Sequence, residues 1–575
     1  MSRTAKRDIA IVLAGQAGQG FQTIESILTM VLKRSGFHVF ATKEYMSRIR
    51  GGINSTLIRV GSERVPANVD RIDILVPFDN DAFDHLSERI SPETLIVGER
   101  QNLSTDREIL DIPFNRIAKE TGGGIYTNTV AIAALCGALE GELKVLEDYL
   151  SDHFKKKGES IVDGNLKAAR KGFRIGCDLR SNGKIKFQLE KHPGITNEIL
   201  MSGAKAVALG AVSGGCRFIS SYPMSPGTSV LSYMAQNDSR FGIVAEQAED
   251  EIAAVNMAIG SWFAGGRAMV TTSGGGFALM EEGVSLAGIT ESPLVVHLGQ
   301  RPGPATGMAT RTEQADLDLV LHAGHGEFSR IIYAPGRIEE AFNLTHRAFD
   351  AADRYQVPVF VLTDQYFMDS LYCIPELDYE KAEVTNHIVR TQSGYKRYAF
   401  TGNGISPRGI PGYGEGLICA DSHEHTEEGH ITEEIELRNR MMEKRMGKMD
   451  LIARDCIPPT LIGPEEYRVL VLCWGSNYHI TAEAVALLGK NDIAVLHFSQ
   501  VFPLPPETPE LLERADTTIL VENNFSGQFG RLLRAYAGID VGHHIRQYDG
   551  RPFCSETLAK KILRLSRTVT GSVSH

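Results

Sequence analysis

Three runs decide the fold: Ser220-Ser221-Tyr222-Pro223-Met224-Ser225-Pro226-Gly227-Thr228, Glu246-Gln247-Ala248-Glu249-Asp250-Glu251-Ile252-Ala253-Ala254, and Thr271-Thr272-Ser273-Gly274-Gly275-Gly276-Phe277. Each closes a short apolar segment. Arg217 to Ser220, Phe241 to Ala245 and Ala268 to Thr272 read as buried strands. The loops after them are Pro/Ser/Gly-rich, acid-rich at a helix start, and triply glycine, the turns that end parallel strands. Three such loops at one end of adjacent strands enclose a crevice, where α/β proteins bind ligands.

In this order the runs resemble the pyrimidine-binding domain of thiamine-diphosphate enzymes, and most closely the alpha subunit of 2-oxoacid:ferredoxin oxidoreductases. That family carries a Tyr-Pro-x-Thr/Ser-Pro loop, a Glu-x-x-Ala helix start and a Thr-Ser-Gly-x-Gly-Phe turn. Residues 222–226, 251–254 and 272–277 match them. Met224-Ser225 stands where the family has Ile-Thr, and Gly275 where it has proline.

The chain has 575 residues, too many for one core, and is 42% hydrophobic and 23% charged. Its net charge of −11 and the lack of a basic stripe argue against a nucleic-acid partner. The eight cysteines are scattered with no Cys-x-x-Cys pair, so neither a disulfide framework nor a local zinc or cluster site is expected. No apolar run is long enough for a membrane span, and the N-terminal apolar run reads as a first strand rather than a signal peptide. The expected location is cytoplasmic.

The expected fold class is α/β, with three Rossmann-like or thiamine-fold domains. Residues 1–185 open with a strand at 8–14, then Gly15-Gln16-Ala17-Gly18-Gln19-Gly20 and a helix from Phe21 to Lys33. The spacing is not the dinucleotide Gly-x-Gly-x-x-Gly. Glycines for a tight turn and a phosphate seat at the helix start both remain open. With Ser47-Arg48-Ile49-Arg50-Gly51-Gly52, this start resembles the gamma domain of the same family, Ala17 departing from its glycine loop. Asn128 to Tyr149 reads as one long amphipathic helix. Residues 186–197 form a linker, 198–380 the pyrimidine-binding domain, 381–465 an irregular connecting segment, and 466–575 a unit resembling the transketolase C-terminal domain. Glu198 to Gly215 reads as helix. Within 381–465, His423, His425 and His430 sit beside acids and fit no helix face well, so a polar loop is favoured over a metal site. Ile435 to Met449 reads as a helix with a solvated or interface face.

The resemblance assigns the site. Thiamine-dependent decarboxylation needs a carboxylic acid, kept neutral in an apolar wall, to donate to the cofactor's aminopyrimidine ring. Glu246, Glu249, Asp250 and Glu251 are candidates, and helix-start acids also satisfy the dipole. Periodicity alone does not choose among them. In thiamine enzymes the activating Glu precedes a helix glycine by nine positions, with small residues three and four later. Glu251, with Ala254, Val255 and Gly260, fits best. Ser225, Tyr222, Arg311 and, from the gamma-like domain, Arg50 are candidate contacts for the oxoacid, Arg311 as a bidentate carboxylate partner. Pro223, Gly275 and Phe277 join Glu251 as expected cofactor contacts.

No Gly-Asp-Gly diphosphate motif and no cluster-ligand cysteines occur. The resemblance therefore implies a beta subunit that brings Mg2+ and a 4Fe–4S cluster and shares thiamine diphosphate, in an (alpha-beta)2 assembly, with coenzyme A as co-substrate and ferredoxin as acceptor. Fusion of the gamma-like domain to the alpha chain looks most like the 2-oxoglutarate-preferring branch, making succinyl-CoA and CO2 or running in reverse. Pyruvate or branched 2-oxoacids are the alternative substrates. A non-redox transketolase-like transferase is more distant, because the gamma-like domain would be unexplained. A nucleotide-binding regulator would leave Glu251 without a purpose.

Overall fold

The computed structural model describes residues 8–47, 52–377 and 383–567. The chain falls into two compact units, Met1–Met201 with Ser370–Glu376, and Ser202–Asp369 with Leu377–His575.

The first unit is built on β1 (Asp8–Gln16), α1 (Phe21–Arg34), β2 (His38–Glu44), β3 (Ile53–Gly61), β4 (Ile74–Pro77), β5 (Leu95–Gly98) and β6 (Ile109–Asp111). Ile9 to Ala14 of β1 are fully buried, as expected of a continuous apolar run in the middle of a sheet. β1 pairs parallel with β4 and antiparallel with β3, in the strand order β6-β5-β4-β1-β3-β2. The sheet continues with β14 (Leu371–Ile374), which returns from far along the chain, and ends at β7 (Ile199–Ser202). The single helix expected over 128–149 is two, α2 (Thr127–Ala138) and α3 (Leu143–Phe154). Glu140 adopts φ 59° and the Gly141 amide donates back to the Cys136 carbonyl, which stops the first helix. α2 packs on α4 (Glu159–Ser181) along a seam so tight that a Cβ on Gly172 would lie 2.5 Å from the Val130 carbonyl oxygen.

The second unit begins with α5 (Gly203–Ser213), so the stretch expected to be helical from Glu198 starts instead as a strand. Then follow β8 (Phe218–Ser221), α6 (Thr228–Gln236), β9 (Val244–Gln247), α7 (Glu251–Phe263), β10 (Ala268–Thr272), a one-turn helix at Gly274–Phe277, α8 (Glu281–Ile289), β11 (Leu294–Gln300), β12 (Ile331–Tyr333), α9 (Ile338–Tyr355) and β13 (Pro358–Asp364). Their order in the sheet is β12-β13-β11-β10-β8-β9, and all these pairings are parallel. The ends of β8, β9 and β10 therefore share one edge, which places the three runs together.

After an irregular stretch come α10 (Ile435–Arg454), β15 (Thr460–Ile462), β16 (Val469–Trp474), α11 (Asn477–Leu488), β17 (Ile493–Phe498), β18 (Gln500–Phe502), β19 (Thr517–Glu522), α12 (Gln528–Ala537), β20 (His543–Arg546) and α13 (Ser555–Arg567). They form a five-stranded sheet ordered β15-β17-β16-β19-β20, except that β18 pairs with β12 and extends the other sheet. The interleaved charges of α10 are not simply a solvated face. Lys444, Arg445 and Lys448 are buried, with Lys444 and Lys448 each 2.5 Å from the Glu291 carboxylate and Arg445 bonded to Glu424. Among the described residues no helix is long and apolar enough to cross a membrane.

Candidate functional site

The acid-rich run is sorted by its backbone. β9 is the edge strand, and Glu246 and Glu249 are exposed. Asp250 is extended and caps α7, its carboxylate accepting the Ala253 N–H at 2.7 Å. Glu251, the first helical residue, points inward and is only 3% exposed. Its Oε1 is buried and has no hydrogen-bond partner among the described residues. Burial, and to a lesser degree the neighbouring Asp250 charge, raise its pKa above the ordinary carboxylate value, favouring the neutral acid. Of the four acids in this run Glu251 is the buried one, whereas Glu249 is exposed.

Two serines of β8 hold this arrangement. The Ser220 hydroxyl donates to the Ala254 carbonyl at 2.6 Å, tying the sheet to the first turn of α7, and the Ser221 hydroxyl donates to the Thr271 carbonyl. The glycine turn after β10 then closes over Glu251. A Cβ on Gly276 would collide with Glu251 Oε1 and Thr272 Oγ1, so only glycine lets the carboxyl occupy this place. Gly275 faces the Met224 sulfur and the Ala305 carbonyl, at 4.0 and 3.6 Å from a Cβ built there. Phe277 is fully buried, its ring edge-on to Phe360 at 5.6 Å, so its side chain belongs to the core beneath the turn.

The Tyr-Pro loop follows β8. Tyr222 and Ser225 are exposed and Pro223 is half-buried. The Arg301 guanidinium donates to the Ser225 carbonyl at 2.8 Å, and Pro226 packs so closely on Gly299 that a Cβ there would lie 2.7 Å from its Cγ. Glu251, Gly275, Met224 and the hydroxyl-bearing loop thus come together past the ends of β9, β10 and β8.

Arg311 lies at the far end of the loop that follows β11, against the turn at Asp549-Gly550-Arg551. A Cβ on Gly550 would be 3.1 Å from Arg311 Cβ, and the Thr312 N–H donates to the Gly550 carbonyl. Burial, then the charge of Arg551, lower its pKa, while Asp549 opposes them. Residues not singled out from the sequence do most to place this segment. Gln314 bridges the two sheets: its Nε2 donates to the Trp474 carbonyl, its Oε1 accepts from Asn477 Nδ2 and the Asn523 N–H, and its own N–H donates to the Asn523 carbonyl. Two residues on, the Asp316 carboxyl presses on Gly274, where a Cβ would overlap it. Burial, then the Glu313 charge, push Asp316 up to about 7, and burial does the same to Glu313. Asp316 Oδ2, Ser273 Oγ and Arg301 Nε are buried and have no hydrogen-bond partner among the described residues. The polar run Thr-Glu-Gln-Ala-Asp in a domain of apolar strands was the available signal, but its partners lie some 160–210 residues away in sequence.

Arg50, with residues 48–51, lies outside the described residues. In the glycine loop after β1 the Gln16 N–H donates to Asp79 at 2.6 Å and Asn128 Nδ2 donates to the Gln19 carbonyl at 2.9 Å. His425 is buried on the Tyr398 ring at 3.8 Å, its Nδ1–H donating to the His423 carbonyl, while His423 and His430 are exposed. No group of three or more His, Cys, Asp or Glu side chains is placed to hold a metal among the described residues.

Known proteins share this architecture. Residues 209–444 match the family described as pyruvate flavodoxin/ferredoxin oxidoreductase, thiamine diphosphate-binding, and residues 10–175 the family described as pyruvate ferredoxin/flavodoxin oxidoreductase. The 2-oxoacid:ferredoxin oxidoreductase subunit alpha of Sulfolobus sp is 31% identical over 621 residues, covering 96% of each chain. The 2-oxoglutarate synthase subunit KorA of Methanothermobacter marburgensis is 31% identical over 377 residues, 64% of this chain and 99% of its own. Among solved structures, the 2-oxoglutarate:ferredoxin oxidoreductase from Magnetococcus marinus with 2-oxoglutarate, coenzyme A and succinyl-CoA bound superposes with a TM-score of 0.91 at 29% identity, over 97% of this chain and 99% of that one. With its fold, its thiamine diphosphate-binding domain and near full-length relatives in agreement, the chain belongs to the 2-oxoacid:ferredoxin oxidoreductases, as an alpha subunit carrying the fused N-terminal domain.

Proposed function

We propose that this chain supplies the pyrimidine-activating half of an oxoacid-decarboxylating site, with 2-oxoglutarate as its preferred substrate. A partner beta subunit holds the diphosphate, its Mg2+ and a 4Fe–4S cluster, coenzyme A accepts the acyl group and ferredoxin the electrons. The observation that carries this reading is the Glu251 carboxyl, buried under a glycine turn with an oxygen that has no hydrogen-bond partner among the described residues. An unsatisfied buried polar atom is costly, and one held under a glycine turn at the strand ends calls for a ligand atom. A ring nitrogen that accepts a proton is the complement of a neutral carboxylic acid, so the site fits the aminopyrimidine of thiamine diphosphate.

When bound, thiamine diphosphate supplies the electron sink for cleaving the 2-oxoacid's carboxylate bond. Glu251 would hold a proton toward the bound pyrimidine, the buried Ala254 and Val255 one turn on would keep that carboxyl dry, and the turn at Gly275 to Phe277 would offer its backbone to the same group. Ser225 and Tyr222 offer hydroxyls, and Arg311 a guanidinium, to the oxoacid. The sequence contains neither a Gly-Asp-Gly run nor a Cys-x-x-Cys pair, which is why the remaining groups are assigned to the partner. The test is to co-express the chain with the product of its adjacent gene and follow viologen-dye reduction with coenzyme A and 2-oxoglutarate, pyruvate or a branched 2-oxoacid. A kcat/KM at least tenfold higher for 2-oxoglutarate is expected. Equal or higher values for pyruvate would overturn the substrate assignment, and no oxoacid-dependent reduction would overturn the function.

A further inference from the structure

His297 stands in the middle of the larger sheet of the second unit, on β11 between β10 and β13, and is 0% exposed. Its neighbours on the flanking strands are also polar and buried: Thr271, directly opposite it in register, and Thr363. A histidine and two threonines in a parallel core cost desolvation unless every polar atom is paired. Here they are paired in one direction. The Thr271 hydroxyl donates to the Gly227 carbonyl at 3.2 Å, because a carbonyl only accepts. Thr271 Oγ1 therefore accepts from His297 Nδ1 at 2.8 Å, which places the ring proton on Nδ1. Nε2, left as the acceptor, receives the Thr363 hydroxyl proton at 2.9 Å. Burial holds the imidazole neutral, pushing its pKa down to about 3, so this arrangement persists across the working pH range.

The relay ends on the Tyr-Pro loop. Gly227 closes that loop, a Cβ there would lie 2.8 Å from the Thr272 carbonyl, and the loop's other anchored carbonyl, Ser225, is held by Arg301. We propose that His297 is a positioning residue: through Thr271 it fixes the Gly227 carbonyl, and with it the placement of the exposed Tyr222 and Ser225 of the loop. The loop's contact with the oxoacid rests on the function proposed above, whereas the fixing of the loop does not.

Thr271→Val tests this in the assembled enzyme, since it keeps the side chain's shape and removes the hydroxyl that joins His297 to the loop. Thr271→Ser restores the hydroxyl. Hydrogen exchange of the amides of Thr228, Ser229 and Val230, which close the turn onto Met224, Pro226 and Gly227, reports the loop directly. Thr271→Val is expected to speed their exchange about tenfold and to raise the KM for the oxoacid about tenfold with kcat within threefold, and Thr271→Ser to return both. Unchanged exchange in Thr271→Val would overturn the relay, as would equal effects of Val and Ser. Faster exchange with an unchanged KM, together with an unchanged KM in Ser225→Ala, would keep the relay and reject instead the loop's contact with substrate. A fall in kcat and melting temperature with exchange and KM unaltered would assign the relay to core stability alone and overturn the proposal.

Discussion

Replacing Glu291 with Gln is expected to loosen the long segment between the two sheets of the second unit. Glu291 is 1% exposed and its carboxylate meets Lys444 and Lys448 at 2.5 Å each, one turn apart on α10. Arg397, from the irregular segment, donates to the Glu291 carbonyl at 2.7 Å. The two ammoniums outweigh the desolvation of the carboxyl and hold its pKa well below the usual carboxylate range. Gln keeps the volume but leaves two buried cations facing an amide. Breaking a buried ion pair by removing one partner costs about 3–5 kcal/mol, which would speed opening of the segment roughly a hundred- to several-thousand-fold. Native-state hydrogen exchange of residues 435–454, or the rate of proteolytic cutting in 383–434, measures that opening. Because the folded pKa of Glu291 is depressed, its contribution is present above the unfolded value of about 4 and is lost only as pH falls through the folded one. The effect of the substitution should therefore persist from pH 5 to about 7 and shrink above that, because burial brings Lys448 down to about 8. A loss below about 1 kcal/mol, the range of a surface pair, would refute the reasoning. So would failure of the triple variant Glu291→Gln, Lys444→Met, Lys448→Met to regain most of it.

Three further outcomes follow from the site. Gly276→Ala places a methyl where Glu251 Oε1 lies, so activity should drop at least about a hundredfold while stability falls only by about 1–3 kcal/mol, as read by dye reduction and urea unfolding. Asp316 titrates near 7 in the fold, so between about pH 4 and 7 only the unfolded chain releases this proton and stability falls as pH rises. Asp316→Asn should flatten that slope in unfolding measured from pH 5 to 8. Arg311→Ala should raise the KM for the oxoacid about tenfold or more, the worth of a charged hydrogen bond, and an unchanged KM would remove Arg311 from the substrate's path.

The sequence was most readable where one strand's apolar run decides its own burial. β10 falls at Ala268–Thr272 as expected, β8 is displaced by one residue, and β9 by two or three. The Tyr-Pro loop, the acid run and the glycine turn were legible because turn chemistry is local. Errors came where a single residue or a distant partner decides. Gly141 and the left-handed Glu140 break the helix expected over 128–149. Ile199–Ser202 pairs as a sheet edge that no local alternation announces. The charges of α10 look solvated in sequence because their partner, Glu291, lies some 150 residues earlier. The same holds at the site. Glu251 could be proposed from the resemblance, but the burial that raises its pKa needs the surrounding sheet and the glycine turn above it, and the contacts of Gln314, Asp316 and His297 exist only after three strands and a second sheet come together.

The most direct measurement is turnover by the Glu251→Gln enzyme, assembled with its partner and supplied with saturating thiamine diphosphate, coenzyme A and oxoacid. If Glu251 delivers the proton to the pyrimidine, kcat falls by about 10²–10⁴ while the subunits still associate and the melting temperature holds. A kcat within about threefold of the parent would contradict it.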